Sequence, residues 1–292
     1  ALFRLLLSDA DFGVQAAAVR AAGVARRGDL REEIAMRARL GASEVRCAAL
    51  EALGALGGSD SLEVMIAGLS SPEVQVQSAA VSGLAQLGDP QSLPILSSIL
   101  DRGADSPLFA KAVEGLEALG PSAHAELLRL AEDVGSPGRR GGALILARAG
   151  VGAATSALID LLTANPRDRE LLDELAFLTV VDLRAELDPA EAYFQWFEGQ
   201  DSADAFEWLR AAQERAGLVP TPAGGLDRGG SRAGAFSLWR GLGSVDAVLA
   251  ERSRRELGRL LDKTLEPLPP RGLTRDLWRQ DLLTQIDERW PG

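Results

Sequence analysis

A unit of 31 residues is written at least three times in succession in the first third of this chain. Val45 and Val76 are 31 positions apart, as are Leu53 and Leu84, Leu56 and Leu87, Gly57 and Gly88, Met65 and Leu96, and Leu69 and Leu100. One period before Val45 lies Val14, which opens Val-Gln-Ala-Ala-Ala-Val. A unit this short cannot bury its own apolar face. It has to stack on a copy of itself, so the array grows by addition rather than by enlarging one core.

Each unit is patterned as two helices. From Val45 to Leu56 the apolar positions Val45, Ala48, Ala49, Ala52, Leu53 and Leu56 follow a three-and-four rhythm. Small residues stand at the centre of each first helix, at Ala17-Ala18, Ala48-Ala49 and Ala79-Ala80. They allow the close approach that stacking requires. The second helix is richer in larger residues: Leu62, Met65, Ile66 and Leu69, then Leu93, Leu96, Ile99 and Leu100.

Helix ends are marked as well. The pairs Ser71-Pro72, Asp89-Pro90, Ser106-Pro107, Ser136-Pro137, Asn165-Pro166 and Asp188-Pro189 each predict an N-cap followed by a proline in the first turn. Gly57-Gly58, Gly88, Gly103 and Gly120 predict helix ends. A fourth unit runs from Leu108 to about Glu132, a weaker fifth from Arg139 to about Thr163, and a sixth opens near Arg167 before diverging. The stretch Leu-Phe-Arg-Leu-Leu-Leu-Ser-Asp after Ala1 reads as a second helix whose first helix is missing, so the chain is expected to be part of a longer protein. It lacks the basic start and the small-residue cleavage site of a signal peptide.

The pattern Val-Arg-x-x-Ala-x-x-Ala-Leu-Gly-x-Leu-Gly, most specific at Val45-Arg46, Ala49, Leu53-Gly54 and Leu56-Gly57, resembles the HEAT-repeat family. The likeness is to the short bacterial HEAT-like type also found in phycobilisome lyases, and it covers about residues 1–198. The resemblance implies an all-α fold: an α-solenoid, a right-handed superhelix of stacked antiparallel helix pairs of HEAT-like or armadillo type. First helices would lie on the convex side and second helices on the concave side. The family is mostly a binding scaffold, and no residue motif of the lyase chemistry is matched here.

Beyond residue 190 the chain changes character. Tyr193 and all five tryptophans, Trp196, Trp208, Trp239, Trp278 and Trp290, fall there. A longer echo also appears: Glu174, Leu175, Leu178, Leu183 and Trp196 recur 82 positions on as Glu256, Leu257, Leu260, Leu265 and Trp278. Both copies read as a helix, an extended proline-containing connection and a tryptophan-bearing helix. Between them, Gly217 to Gly234 is too rich in glycine and proline for a helix and reads as a mobile linker or surface loop. The expected organisation is therefore a repeat array over 1–198, a helix and linker over 199–234, and a tryptophan-containing helical piece over 235–292.

Composition narrows the function classes. The net charge of -11 argues against nucleic acid, which calls for a basic footprint. No apolar run is long enough to span a membrane. A lone cysteine gives no disulfide framework, and with no signal peptide the cytoplasm is slightly favoured. Cys47 occupies a small-residue slot, where other units have Ala16 and Ser78, and His124 takes the place of Ser92. Neither has the partners of a metal site or a triad, and Gly224-Gly225 and Gly229-Gly230 lack the strand and the Lys-Ser ending of a phosphate loop. No catalytic residue, metal or cofactor is assigned.

Two features are candidates for binding. Tyr193, Trp196 and Phe197 fall on one helical face, with Phe206 and Trp208 in the next helix. They form either a bulky core cap or an aromatic anchor for a partner. From Glu51 to Gly135 there are twelve acidic and three basic residues. Glu63 and Glu126 stand on second helices there, either as part of a solvated charged face or as a surface for a basic partner. Three functions follow: a non-catalytic protein–protein scaffold working through its concave face, an enzyme-associated or ligand-cradling subunit like the chromophore lyases with a groove near His124 and Cys47, and, least favoured by the charge, a nucleic-acid-binding protein. The partner is expected to be another protein, basic in character.

Overall fold

The computed structural model describes residues 2–218 and 230–291, so most of the stretch read as a linker lies outside the described residues. The described residues are all-α, without a strand, and build a solenoid of antiparallel helix pairs. They fall into two compact units, Ala1–Ile145 and Leu146–Gly292, and the division lies inside one helix, α10.

In the first unit the helices are α1 (Leu2–Leu7), α2 (Phe12–Val24), α3 (Arg31–Leu40), α4 (Ser43–Leu56), α5 (Ser59–Leu69), α6 (Val74–Leu87), α7 (Ser92–Leu100), α8 (Phe109–Leu119) and α9 (His124–Glu132), followed by α10 (Arg139–Arg148). First helices stack in series, α2 on α4, α4 on α6 and α6 on α8, while α3, α5 and α7 pack along them. The stack is tight because its seam is small. A Cβ on Gly23 would lie 2.9 Å from the Cα of Ala52, and one on Gly54 would lie 2.7 Å from the carbonyl oxygen of Gly83. Val45, Ala48, Ala49, Ala52 and Leu53 are all buried, as their spacing predicts. In α2 the small residues Ala16, Ala18, Ala22 and Gly23 are buried, whereas Ala17, expected in the seam, is exposed.

The serine- and aspartate-proline pairs work differently from the prediction. Ser71, Asp89, Ser106 and Ser136 each accept a hydrogen bond from the amide two residues on, before the helix begins. Each proline sits inside a turn that leads into the helix, the position its fixed φ suits. Of these pairs, Asp188-Pro189 forms the N-cap and first residue of a helix, with Asp188 Oδ1 accepting from the amide of Glu191 at 3.2 Å. The glycine ends hold: Gly57, Gly88 and Gly120 all take positive φ at helix C-termini.

The second unit contains α11 (Thr155–Ala164), α12 (Arg169–Thr179), α13 (Pro189–Glu198), α14 (Ala205–Arg215), α15 (Arg232–Gly241), α16 (Ala247–Leu260) and α17 (Leu273–Arg289). From α12 to α16 every helix starts on a side-chain cap: Asp168, Asp188, Asp204, Ser231 and Asp246. Helices of the stretch expected as a C-terminal piece from 235 share a core with helices that precede it. Ala176 and Val180 at the end of α12 share one core with Leu209 of α14, Leu238 of α15, Leu249 and Leu257 of α16 and Ile286 of α17. Trp239, Trp278 and Trp290 pack against it. A shared core of this kind closes only if all these helices fold together.

The 82-residue echo has a backbone counterpart. Val180 and Asp262, 82 positions apart, both take the left-handed conformation, with φ of 57° and 55°. Each ends its helix and turns the chain into an extended connection. Next along come Tyr193 and Arg275, again 82 apart. Tyr193 donates its hydroxyl to the carbonyl of Val181 at 3.0 Å, and Arg275 Nε donates to the carbonyl of Pro269 at 2.8 Å. In both copies the following helix sends back a side chain that satisfies the connection's backbone, as buried polar backbone requires.

Candidate functional site

The repeat leaves one register of the second helices open in the first unit. Glu32, Glu63, Pro94 and Ala125 are exposed and separated by steps of 31. So are Met36, Ala67, Ser98 and Arg129, and again Arg39, Ser70, Asp101 and Glu132. The opposite faces carry Ile34 and Ala38, Met65, Leu96 and Ile99, and Leu127 and Leu130, all buried. A helix with one stripe in the core must present the other, and repetition aligns those stripes into a ladder three positions wide. Ile66 adds an apolar side chain to this surface at 45% exposure.

The two predicted acidic residues differ. Glu63 is exposed on this ladder. Glu126 is half-buried and already engaged: it accepts from Ser97 Oγ at 2.7 Å and from Arg129 Nη2 at 2.7 Å and Nε at 3.0 Å. The Arg129 hydrogen bond holds its carboxyl below the usual carboxylate range, burial opposes this, and the Ser97 hydroxyl adds to it. Glu126 therefore clips α7 to α9, a role its sequence position did not suggest.

Of the aromatic group expected as a core cap or an anchor, Tyr193 and Trp208 are buried. Tyr193 is 0% exposed, and its hydroxyl also accepts from the amide of Leu183 at 3.3 Å. Burial pushes that hydroxyl well above the ordinary tyrosine range. Trp208 is buried, and Trp196 meets it edge-on with ring centroids 5.1 Å apart, as does Phe197 at 6.2 Å. Such pairs prefer this perpendicular arrangement. Trp196 remains half-buried, and the exposed aromatic of α13 is Phe194, which the spacing argument passed over.

Cys47 is half-buried, and its thiol is pushed up first by burial and then by Glu51 and Glu73. A thiol held protonated is a poor nucleophile. His124 is half-buried at the start of α9 and is engaged in an interaction. Among the described residues no group of three or more His, Cys, Asp or Glu side chains is placed to hold a metal ion. No described helix is long and apolar enough to cross a membrane. Neither Cys47 nor His124 is among the residues that line the cleft of the second unit.

Arginine–carboxylate pairs knit the second unit. Glu174, 7% exposed, accepts from Arg255 Nη1 at 2.6 Å and Nη2 at 3.3 Å, and from Arg148 Nε at 3.4 Å. Its echo partner Glu256 accepts from Arg252 Nη2 at 2.7 Å and also pairs with Arg259. Arg252 is 1% exposed, and burial pulls its guanidinium down to about 10. Gly150, at positive φ, leaves room for it: a Cβ there would lie 2.6 Å from Arg252 Nη2.

Residues 35–117 match the family model of HEAT repeats. Among solved structures the chain is similar to the complex of CpcE and CpcF of phycocyanin lyase from Nostoc sp. PCC7120. That match has 17% identity and a TM-score of 0.45, over 98% of this chain and 93% of that one. Two engineered proteins also match at 18% identity. One has a TM-score of 0.32 over 98% of this chain and 71% of its own, the other 0.27 over 91% and 98%. No curated protein matches the chain.

Proposed function

We propose that the chain is a non-catalytic protein-binding scaffold whose partner lies along the second-helix ladder of the first unit. The observation that carries this reading is the alignment of Glu63, Ala67 and Ser70 with Pro94, Ser98 and Asp101, and with Ala125, Arg129 and Glu132, all exposed in one register. Rigid first helices, seamed by Gly54 and Gly83, hold that surface in place, and a preorganised surface loses little freedom on binding. The ladder mixes small residues with charges. The acidic excess between Glu51 and Gly135 favours a basic partner, whose encounter would be steered electrostatically.

Site-specific photo-crosslinking tests this reading. A photoreactive residue at Ala67 or Ser98 should capture one defined protein, and the same residue at Ala55, exposed on a first helix, should not. The double substitution Glu63→Lys and Glu132→Lys should weaken capture, more so at low salt. Capture from Ala55 alone, or capture indifferent to the charge reversal, would count against it.

A further inference from the structure

The second unit holds an open cleft of about 640 Å³ that no part of the scaffold reading uses. Its volume lies in the range of small-molecule sites. Five segments meet there: Val180 after α12, the end of α14, the end of α15, the turn from Gly243 to Asp246, and α17.

The lining mixes two chemistries: Val180, Ala212 and Leu218 are apolar, and Arg215, Arg240 and Arg279 are basic. Asp246 is the carboxylate among the lining residues, and its Oδ1 is occupied as the cap of α16, accepting from the amides of Val248 at 2.9 Å and Leu249 at 3.1 Å. Among the described lining residues three arginines thus stand beside one carboxylate, in a chain of net charge -11.

Arg279 is held rigidly with donors to spare. Its guanidinium lies 4.4 Å from the centre of the Trp239 ring, while the Trp239 indole N–H donates to the Arg279 carbonyl at 2.7 Å. Its own hydrogen bond to the Trp239 carbonyl is long, at 3.4 Å, and Asp276 stands 3.9 Å away. Nε is buried without a hydrogen-bond partner. Nε is enclosed, so a ligand in the cleft would meet the Nη end of the guanidinium, a planar fork that suits an oxyanion. Arg215 is exposed at the mouth and makes no hydrogen bond or ion pair among the described residues.

We propose that this cleft binds a small amphipathic monocarboxylate, its carboxylate between Arg279 and Arg215 and its apolar body along Val180, Ala212 and Leu218. This proposal is independent of the scaffold reading, because it concerns the other unit.

Octanoate and octanol test it, since they share an apolar body and differ in charge. Binding of each to the full chain is followed calorimetrically. Octanoate should bind with one-to-one stoichiometry and at least about tenfold more tightly than octanol, as expected for a charge-assisted hydrogen bond. Arg279→Met and Arg215→Gln should each weaken octanoate about tenfold and leave octanol unchanged. Arg215 is exposed, so its variant keeps the test valid if Arg279→Met disturbs folding. Equal binding of both probes, no binding of octanoate at millimolar concentration, or octanoate affinity unchanged in Arg215→Gln would overturn the proposal.

Discussion

Gly54 and Gly83 lie against each other across α4 and α6, so close that a methyl group on either would meet backbone. A Cβ on Gly54 would stand 2.8 Å from the Cα of Gly83, and one on Gly83 would stand 2.8 Å from the carbonyl oxygen of Leu50. Gly54→Ala gains about 1 kcal/mol of helix propensity. It also forces the helices apart, and overpacking of this kind costs about 1–3 kcal/mol. The clash is with main chain that cannot swing aside, so the net effect is destabilising. A urea midpoint equal to or above that of the parent protein would contradict this.

Tyr193→Phe removes a hydroxyl that serves two backbone groups, the carbonyl of Val181 and the amide of Leu183. The loss should be about 1–3 kcal/mol, read as a drop in melting temperature. The protein's single tyrosine gives a second readout. Burial raises its hydroxyl, and the Leu183 amide opposes this only in part. In the unfolded chain tyrosine ionises near pH 10. Above that value the unfolded state holds fewer protons than the folded one, so stability is intact below about pH 10 and declines as pH rises. Tyrosinate absorbance should therefore appear together with unfolding, and a separate titration near pH 10 with the fold intact would refute the burial.

Glu174 and Arg255 pair across 81 residues of sequence. Glu174→Ala leaves the Arg255 guanidinium part-buried beside only Glu251, and breaking a buried pair costs about 3–5 kcal/mol. Replacing both, as Glu174→Leu with Arg255→Met, should recover most of that loss. Thermal melts of the single and double variants measure the coupling, and additive losses would show that the pair is not energetically linked.

Acid should weaken the second unit through Glu251. Burial pulls its carboxyl up, but the guanidinia of Arg254 and Arg255 more than offset that and hold it below the usual carboxylate range. A carboxyl depressed in the folded state contributes stability above its unfolded value, and that contribution is lost as pH falls through the folded one. Glu251→Gln should lower the melting temperature more at pH 7 than at pH 3. An equal effect at both would assign the loss to packing.

The parts of this molecule that repeat were legible in its sequence, because repetition writes the same packing problem several times. Leu53 and Leu84 could be placed in the core from spacing alone, and both are there. Where a contact joins segments that share no period, the sequence carried no trace of it. Nothing about Tyr193 discloses that the connection after Val180 brings two backbone groups to its hydroxyl. The six dipeptides ending in proline marked helix starts but not which residue caps them, since Ser71 and Ser106 act one turn early. Asp188 does cap ahead of its proline, but the capping aspartates Asp204 and Asp246 lack the following proline that drew attention to the others. The cleft drew on five segments, and no single one of them announces it.

The exposed register of the second helices works as a ruler. Packed helices lie about 8–10 Å apart, and an extended chain advances about 3.3 Å per residue. A strand-like segment laid across α3, α5, α7 and α9 would thus pass one rung about every three residues. Moving Glu63 to the place of Pro94 would shift the charge one rung along without changing its setting within the rung. The spacing of contacts that such a segment must offer is therefore written in the period of the repeat itself.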